Sequence, residues 1–167
     1  GLHDNEGPRH LLVHPTLNMA YSADEQGASA TAFRLDPSSG LLEKLHSIST
    51  VPSDYKVKGQ ASCSEVLIHP NGRLLFVVTR EHNSIASFTI DQASGRLSAA
   101  DRVSTEPGVR PLCIDPAGRF MAAAGSGGNA GRLVTYEINA ATGKMTPLDA
   151  YDAGNGPMWI LMMRGAR

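Results

Sequence analysis

The sequence predicts an all-β protein, specifically a β-propeller whose blades are four-stranded antiparallel sheets. A proline-containing turn recurs at a period of roughly 45 to 55 residues, which is typical of propeller blades. Its three copies are His14-Pro15, His69-Pro70 and Asp115-Pro116. Each repeat also ends in a matching turn that contains glycine, and these turns are Asp36–Gly40, Asp91–Gly95 and Asn139–Gly143. No amphipathic helix interrupts the short runs between the turns, which favours sheets throughout.

Four strands are predicted in each repeat, from the most buried to the most polar. The first is an apolar run such as Val66–Ile68, which suits a strand buried on both faces. The second follows a tight turn, as in Leu74–Val78. The third alternates, as in Leu133–Ile138, which indicates a half-exposed strand. The fourth is polar, as in Arg96–Ala100, and it completes one blade.

One domain is predicted over residues 1–167, with blades at about 8–50, 63–106 and 109–152. The segment Val51–Ser62 is interpreted as a loop inserted between the first two blades. Residues 156–163 align with Gly7–His14, which predicts a fourth inner strand. Three blades and one strand cannot close a ring and would leave apolar faces uncovered. We therefore expect an incomplete, C-terminal portion of a propeller, closed by a missing N-terminal half or by a second chain.

Composition excludes several classes of partner. The formal net charge is −1, from 15 basic and 16 acidic residues, so no basic footprint for nucleic acid is visible. No apolar run approaches the roughly 20 residues that cross a bilayer, and no signal-peptide pattern opens the chain. Cys63 and Cys113 are too few for a disulfide framework and are expected to be reduced core residues. A cytoplasmic protein that binds neither nucleic acid nor membrane is the expectation, with no metal or cofactor.

Charged side chains are predicted to collect around one mouth of the propeller channel. Residues that start each first strand share this rim with residues that follow each second strand. The set consists of Arg9, His10, Glu25, Glu65, Arg80 and Arg110, with His82 as a further candidate in the loop after Arg80. Ion pairs between blades would explain any one of these residues. Three arginines against two glutamates favour a site for an anionic ligand, because guanidinium groups suit carboxylate or phosphate.

Two other patterns are interpreted as structural. His14 and His69 are predicted at the opposite end of the inner strands, where the third repeat has Asp115, and this suits a side chain that bonds its own turn backbone. Gly125–Gly131 lacks the spacing of a dinucleotide-binding loop and precedes a strand rather than a helix, so it is interpreted as a hairpin connection.

Several segments resemble the lactonase family of seven-bladed propellers, which includes bacterial 6-phosphogluconolactonases and fungal carboxymuconate cyclases. They are Gly7–Pro15, Ser64–Gly72, Arg80–Phe88, Arg110–Gly118 and Gly156-Pro-Met-Trp159. The resemblance covers essentially the whole chain and matches only the C-terminal half of the family. It implies seven blades, no required metal, and a site at the channel mouth built from arginine, histidine and glutamate.

The resemblance implies a lactone hydrolase that acts on 6-phosphogluconolactone in the pentose phosphate pathway. Arg9 would stabilise the oxyanion, and His10 or Glu65 would be the general base. The substrate-binding residues would be Arg80, Arg110, Glu25 and His82, holding a small anionic lactone or carboxylate. Val109, Glu81 and Ser126 depart from the residues usual in the family. A carboxymuconate lactonising enzyme and a non-catalytic interaction scaffold stay open as alternatives.

Overall fold

The computed structural model describes residues 6–56, 62–126 and 130–163. Within them, twelve strands form three four-stranded antiparallel sheets. The strands are β1 (Pro8–Val13), β2 (Met19–Asp24), β3 (Ser29–Leu35), β4 (Leu42–Ser49), β5 (Cys63–Ile68), β6 (Leu74–Thr79), β7 (Ser84–Ile90), β8 (Leu97–Ser104), β9 (Leu112–Ile114), β10 (Phe120–Gly125), β11 (Gly131–Ile138) and β12 (Met145–Gly154). Each sheet pairs its strands in chain order. The predicted all-β architecture of four-stranded antiparallel blades is confirmed, and the three blades form an open array.

The central strands are buried by the neighbouring blades rather than by their own sheet. In β6, Leu75 and Val77 pack against the first blade, whereas Leu74, Phe76 and Val78 pack against the third. Alternate residues of one strand point to opposite faces of its sheet, so both faces of this blade are covered. This explains why β6 reads as a continuous apolar run.

The predicted order of burial is wrong at two positions. The first strand β1 is partly exposed, with Leu11 at 46% and Val13 at 57%. These side chains lie on the face of the first blade that points away from the second blade, and no other described sheet covers that face. The third strands of the first two blades, β3 and β7, are mostly buried rather than half-exposed. Small residues such as Ala30 and Ala86 let adjacent blades approach these strands closely.

His14 and His69 fasten each blade to the next. The Nδ1 atom of His14 accepts the backbone N–H of Leu17 at 2.9 Å, which confirms the predicted bond to its own turn. The opposite nitrogen, Nε2, donates to the carbonyl oxygen of Gly72 in the second blade at 2.7 Å. His69 repeats the arrangement, with its Nε2 donating to the carbonyl oxygen of Gly118 in the third blade at 2.8 Å. Sequence reasoning anticipated the local bond but missed the link between blades.

Replacing Gly118 with alanine is expected to lower the free energy of unfolding by roughly 2–4 kcal/mol. Gly118 has φ = +73°, and an added Cβ would lie 2.5 Å from Nε2 of His69, so the bond between blades would be lost. Gly40→Ala is the matched control, because Gly40 has φ = +72° with no atom near its Cβ position. Urea unfolding of both variants gives two free energies of unfolding. Their difference separates the strain of alanine at a positive φ from the loss of the histidine bond. Equal destabilisation would show that the histidine link adds nothing to stability.

Residues 156–163, predicted as a fourth inner strand, form no strand in this structure. They lie beside the third blade, where the backbone N–H of Met162 donates to Sγ of Cys113 at 3.3 Å. A strand needs a partner to satisfy its backbone, and the described residues hold no fourth sheet. The role of this segment in completing another blade stays a prediction.

Parts of the predicted loop Val51–Ser62 and of the glycine-rich connection Gly125–Gly131 lie outside the described residues. Cys63 is buried and Cys113 half-buried, and both are unpaired. No helix among the described residues has the length and apolarity that a bilayer crossing needs.

Candidate active site

A bulge begins the inner strands of the first two blades, with two residues opposite one, and the chain just before β9 is arranged similarly. In β1, Pro8 pairs with Asp24 and His10 with Ala23, which leaves Arg9 as the additional residue. In β5, Ser64 and Glu65 together stand opposite Val78. In the third blade Arg110 and Pro111 both bond to Ala124. A bulge interrupts the alternation of side chains, so consecutive residues can reach the same neighbouring blade.

Arg9 uses this freedom to bridge the first two blades. Its Nη1 donates to the carbonyl oxygen of Ser64 at 2.6 Å. The hydroxyl of Ser64 in turn donates to the carbonyl oxygen of Arg110 at 3.3 Å. The equivalent rim positions of three blades are therefore in contact, in the order Arg9, Ser64, Arg110.

Glu25 is shared between two arginines. Its Oε1 accepts a hydrogen bond from Nη2 of Arg80 and lies 3.9 Å from Nε of Arg9. The side chain of Arg80 is 16% exposed, while those of Arg9 and Glu25 are 31% and 35% exposed. The position predicted to bind substrate thus holds an ion pair between blades in this structure, and Glu25 fixes the two guanidinium groups relative to each other.

Ser62 and Asp24 support this cluster, and sequence reasoning missed both. Ser62 has a left-handed backbone with φ = 57°, and its carbonyl oxygen accepts both the backbone N–H and the Nε–H of Arg80, each at 3.1 Å. The buried carboxylate of Asp24 accepts the hydroxyls of Ser22, Ser29 and Thr31 at 2.6–2.7 Å. Polar residues at alternate positions of otherwise apolar strands were the available signal for this network.

His10 and Glu65 form a second pair across the same two blades. Nδ1 of His10 lies 3.1 Å from Oε1 of Glu65, and the same oxygen accepts the backbone N–H of Val66 at 3.3 Å. An ionised carboxylate can only accept, so the proton of the pair is on Nδ1. Glu65 is 18% and His10 41% exposed, so the imidazole is the more accessible member of the pair.

Arg110 and His82 differ from the other candidates. Arg110 is exposed, and its guanidinium makes no hydrogen bond or ion pair with any described side chain. His82 shares a hydrogen bond with the hydroxyl of Ser84 at 2.8 Å and packs edge-on against Tyr55 at 4.5 Å. Burial, helped by the positive charge of Arg102, lowers the pKa of His82. Within the described ranges, His82 has no hydrogen bond with the other six candidates.

The geometry allows both anion binding and proton transfer at one rim. Three guanidinium groups and two carboxylates leave one positive charge in excess when His10 is neutral. Arginine presents five N–H groups in a planar fork, so an arginine already bonded to protein can still hold an anion. An imidazole that a carboxylate holds in place can act as a general base for water. An arginine cluster on the same rim can bind the anionic group of a substrate.

Comparison with known proteins identifies the fold and its lineage. A family profile described as "Lactonase, 7-bladed beta-propeller" matches residues 2–162. The chain belongs to the lactonase family of seven-bladed β-propellers. Among curated relatives of this chain, the 6-phosphogluconolactonase of Pectobacterium carotovorum is 31% identical over 157 residues, which cover 94% of this chain and 46% of that protein. The 6-phosphogluconolactonase of Yersinia pestis is 31% identical over 161 residues, covering 96% and 47%.

Solved structures support the same architecture for this lactonase-family chain. A periplasmic gluconolactonase of Pseudomonas aeruginosa superposes with a TM-score of 0.81 at 25% identity, over 90% of this chain and 41% of that one. A protein from Lactobacillus plantarum gives a TM-score of 0.83 at 24% identity, over 92% and 44%, and shows the fold alone. The chain spans about half the length of the curated relatives it matches.

Proposed function

We propose that this lactonase-family protein hydrolyses a phosphorylated sugar lactone, with 6-phosphogluconolactone as its substrate. The observation that carries the proposal is the His10–Glu65 pair on the same rim as three arginines. Curated relatives that bear the name 6-phosphogluconolactonase support the choice of substrate. The protein would then act in the pentose phosphate pathway, in the cytoplasm where phosphorylated sugars are made.

His10 acts as the general base, and Glu65 orients it. Nε2 of His10 takes a proton from water as the oxygen of that water bonds to the lactone carbonyl carbon. The resulting tetrahedral intermediate collapses by breaking the bond between that carbon and the ring oxygen. The ring oxygen then receives the proton from His10, which restores the neutral imidazole. A lactone is an activated ester, so no covalent nucleophile is needed.

Arg9 stabilises the negative charge that develops on the carbonyl oxygen. One Nη1–H is used by Ser64, which holds the guanidinium in place and leaves other N–H groups for the substrate. A fixed donor of this kind typically lowers the barrier by about 3 kcal/mol. Because Glu25 restrains both Arg9 and Arg80, the cluster needs little reorganisation when the oxyanion forms.

Arg110 and Arg80 hold the phosphate. Arg110 has no carboxylate partner in the described part of the chain, so its charge is available to the ligand. Arg80 is tied to Glu25 and Ser62, and supplies a fixed positive charge on the same rim.

The test compares 6-phosphogluconolactone with unphosphorylated gluconolactone, each corrected for spontaneous opening. Arg110→Met is expected to raise KM for the phosphorylated lactone roughly 10- to 100-fold, because charge-assisted hydrogen bonds are lost. KM for the unphosphorylated lactone should hardly change. Arg34→Met is the control, since Arg34 pairs with Glu43 on the exposed outer side of the first blade. The 167-residue piece by itself is expected to be inactive, so the assay uses the full-length protein, and no acceleration over spontaneous opening by that protein would end the proposal. An equal effect of Arg110→Met on both lactones would remove Arg110 from the phosphate site.

A further inference from the structure

One position recurs at the rim in each repeat, and its occupants form a row. His10 and Glu65 occupy it in the first two blades and are hydrogen-bonded to each other. Pro111 occupies it in the third blade. The alignment of residues 156–163 with Gly7–His14 assigns the next place in the row to Trp159.

The segment that contains Trp159 forms no strand, but it lies against the third blade. Glu65, Pro111 and Trp159 line a single groove with a cavity volume of about 270 Å³. The remaining walls are mainly aliphatic and come from β5, β9, the residues that follow Trp159, and the turn residues Pro70, Asp115 and Pro116. Trp159 and Glu65 therefore belong to the walls of one groove, and the repeat alignment puts Pro111 between them.

The chemistry of this groove suits a single sugar-derived ring. Trp159 is 78% exposed, the highest value among the exposed large hydrophobic side chains of the described residues. Binding pockets typically combine apolar and aromatic walls with a few placed polar groups. A six-membered lactone has flat C–H faces that match the indole and a hydroxyl-bearing edge that matches the carboxylate of Glu65.

We propose that Trp159 is a specificity-determining residue whose indole face holds the ring of the lactone beside the His10–Glu65 pair. The proposal rests on the proposed lactonase function and adds the surface that recognises the cyclic substrate. The open-chain acid has no flat ring, so this contact favours the substrate over the product. Because the indole touches the ring but not the reacting bond, it acts on binding rather than on the chemical step.

Kinetics of the natural protein provide the first test. Trp159→Ala is expected to raise KM for the lactone about 10-fold with kcat nearly unchanged. Trp159→Phe keeps a smaller aromatic face and should raise KM less, about 3-fold. Met158→Ala is the control, because Met158 is exposed beside Trp159 but is not a lining residue of the groove. A KM unaltered in Trp159→Ala would overturn the proposal while leaving the lactonase function standing.

Fluorescence provides a test that does not depend on turnover. Trp159 is the only tryptophan of the 167-residue sequence, and subtracting the signal of Trp159→Phe isolates its emission. 1,5-Anhydroglucitol 6-phosphate, a ring without a hydrolysable carbonyl, is the probe. A saturable change in the isolated emission supports the proposal, even if lactone turnover is absent and the proposed function fails. If the emission does not change while lactone turnover is normal, the Trp159 proposal is wrong and the lactonase function stands. If the emission does not change and turnover is also absent, both proposals are wrong.

Discussion

Glu65→Gln lowers kcat for lactone hydrolysis by roughly 10²- to 10⁴-fold, the range expected when a general base is misoriented. The carboxylate keeps the proton of the pair on Nδ1 of His10, at 3.1 Å. A glutamine can instead donate its N–H to Nδ1, which moves the imidazole proton to Nε2 and blocks the base. KM should change little, since the arginines that bind the anion are untouched. Initial rates with 6-phosphogluconolactone measure both parameters.

A double substitution separates this role from an independent one. If Glu65 acts through His10, the variant His10→Ala and the double variant His10→Ala/Glu65→Gln should have nearly equal kcat, because residues that act as a unit are strongly non-additive. Multiplicative losses would mean that Glu65 is itself the base. Glu43→Gln is the matched control, since Glu43 makes an exposed ion pair with Arg34 far from the rim.

Asp24→Asn is expected to lower the free energy of unfolding by roughly 2–4 kcal/mol, through the loss of buried, charge-assisted hydrogen bonds. Asp24 is fully buried and accepts three hydroxyl groups, two of them on the same oxygen. Asparagine has an N–H₂ group in place of one of the two carboxylate oxygens. That group would face at least one of the three hydroxyl groups, which could then no longer donate its hydrogen bond there. Because Asp24 immediately precedes Glu25, loosening this network also loosens the arginine cluster.

Guanidinium chloride unfolding followed by circular dichroism measures the effect. Asp149→Asn is the control, because Asp149 undergoes the same chemical change at an exposed position of β12. If the unfolding midpoint of Asp24→Asn matches that of this control, the hydroxyl groups rearrange around the amide with no loss of stability.

The blade pattern was predictable because it is local. Turns such as Asp91–Gly95, and runs such as Leu74–Val78, encode strand order within a few tens of residues. Each pattern has its own physical signature, namely the preference of a turn for glycine or the burial of a run on both faces. The half-exposure predicted for the third strands was wrong in the first two blades, since burial of β7 depends on how closely the next blade approaches.

The sequence predicted a set of candidate site residues, but not the contacts between them. Repeat alignment placed Arg9, His10 and Glu65 on one rim. It did not reveal the bulges that turn consecutive residues toward one neighbour. Nor did it show that Glu25 lies between Arg9 and Arg80, or that Ser62 holds Arg80 through a left-handed backbone.

The sequence alone determined the repeat and the order of strands, and it predicted which residues form the candidate site. Only the tertiary structure decided which of them bind one another. The contacts Arg9–Ser64, His10–Glu65 and Arg80–Glu25 each join residues 55 positions apart. Such pairs depend on the separation and angle between packed blades, which arise from the core as a whole and are not encoded in any short segment.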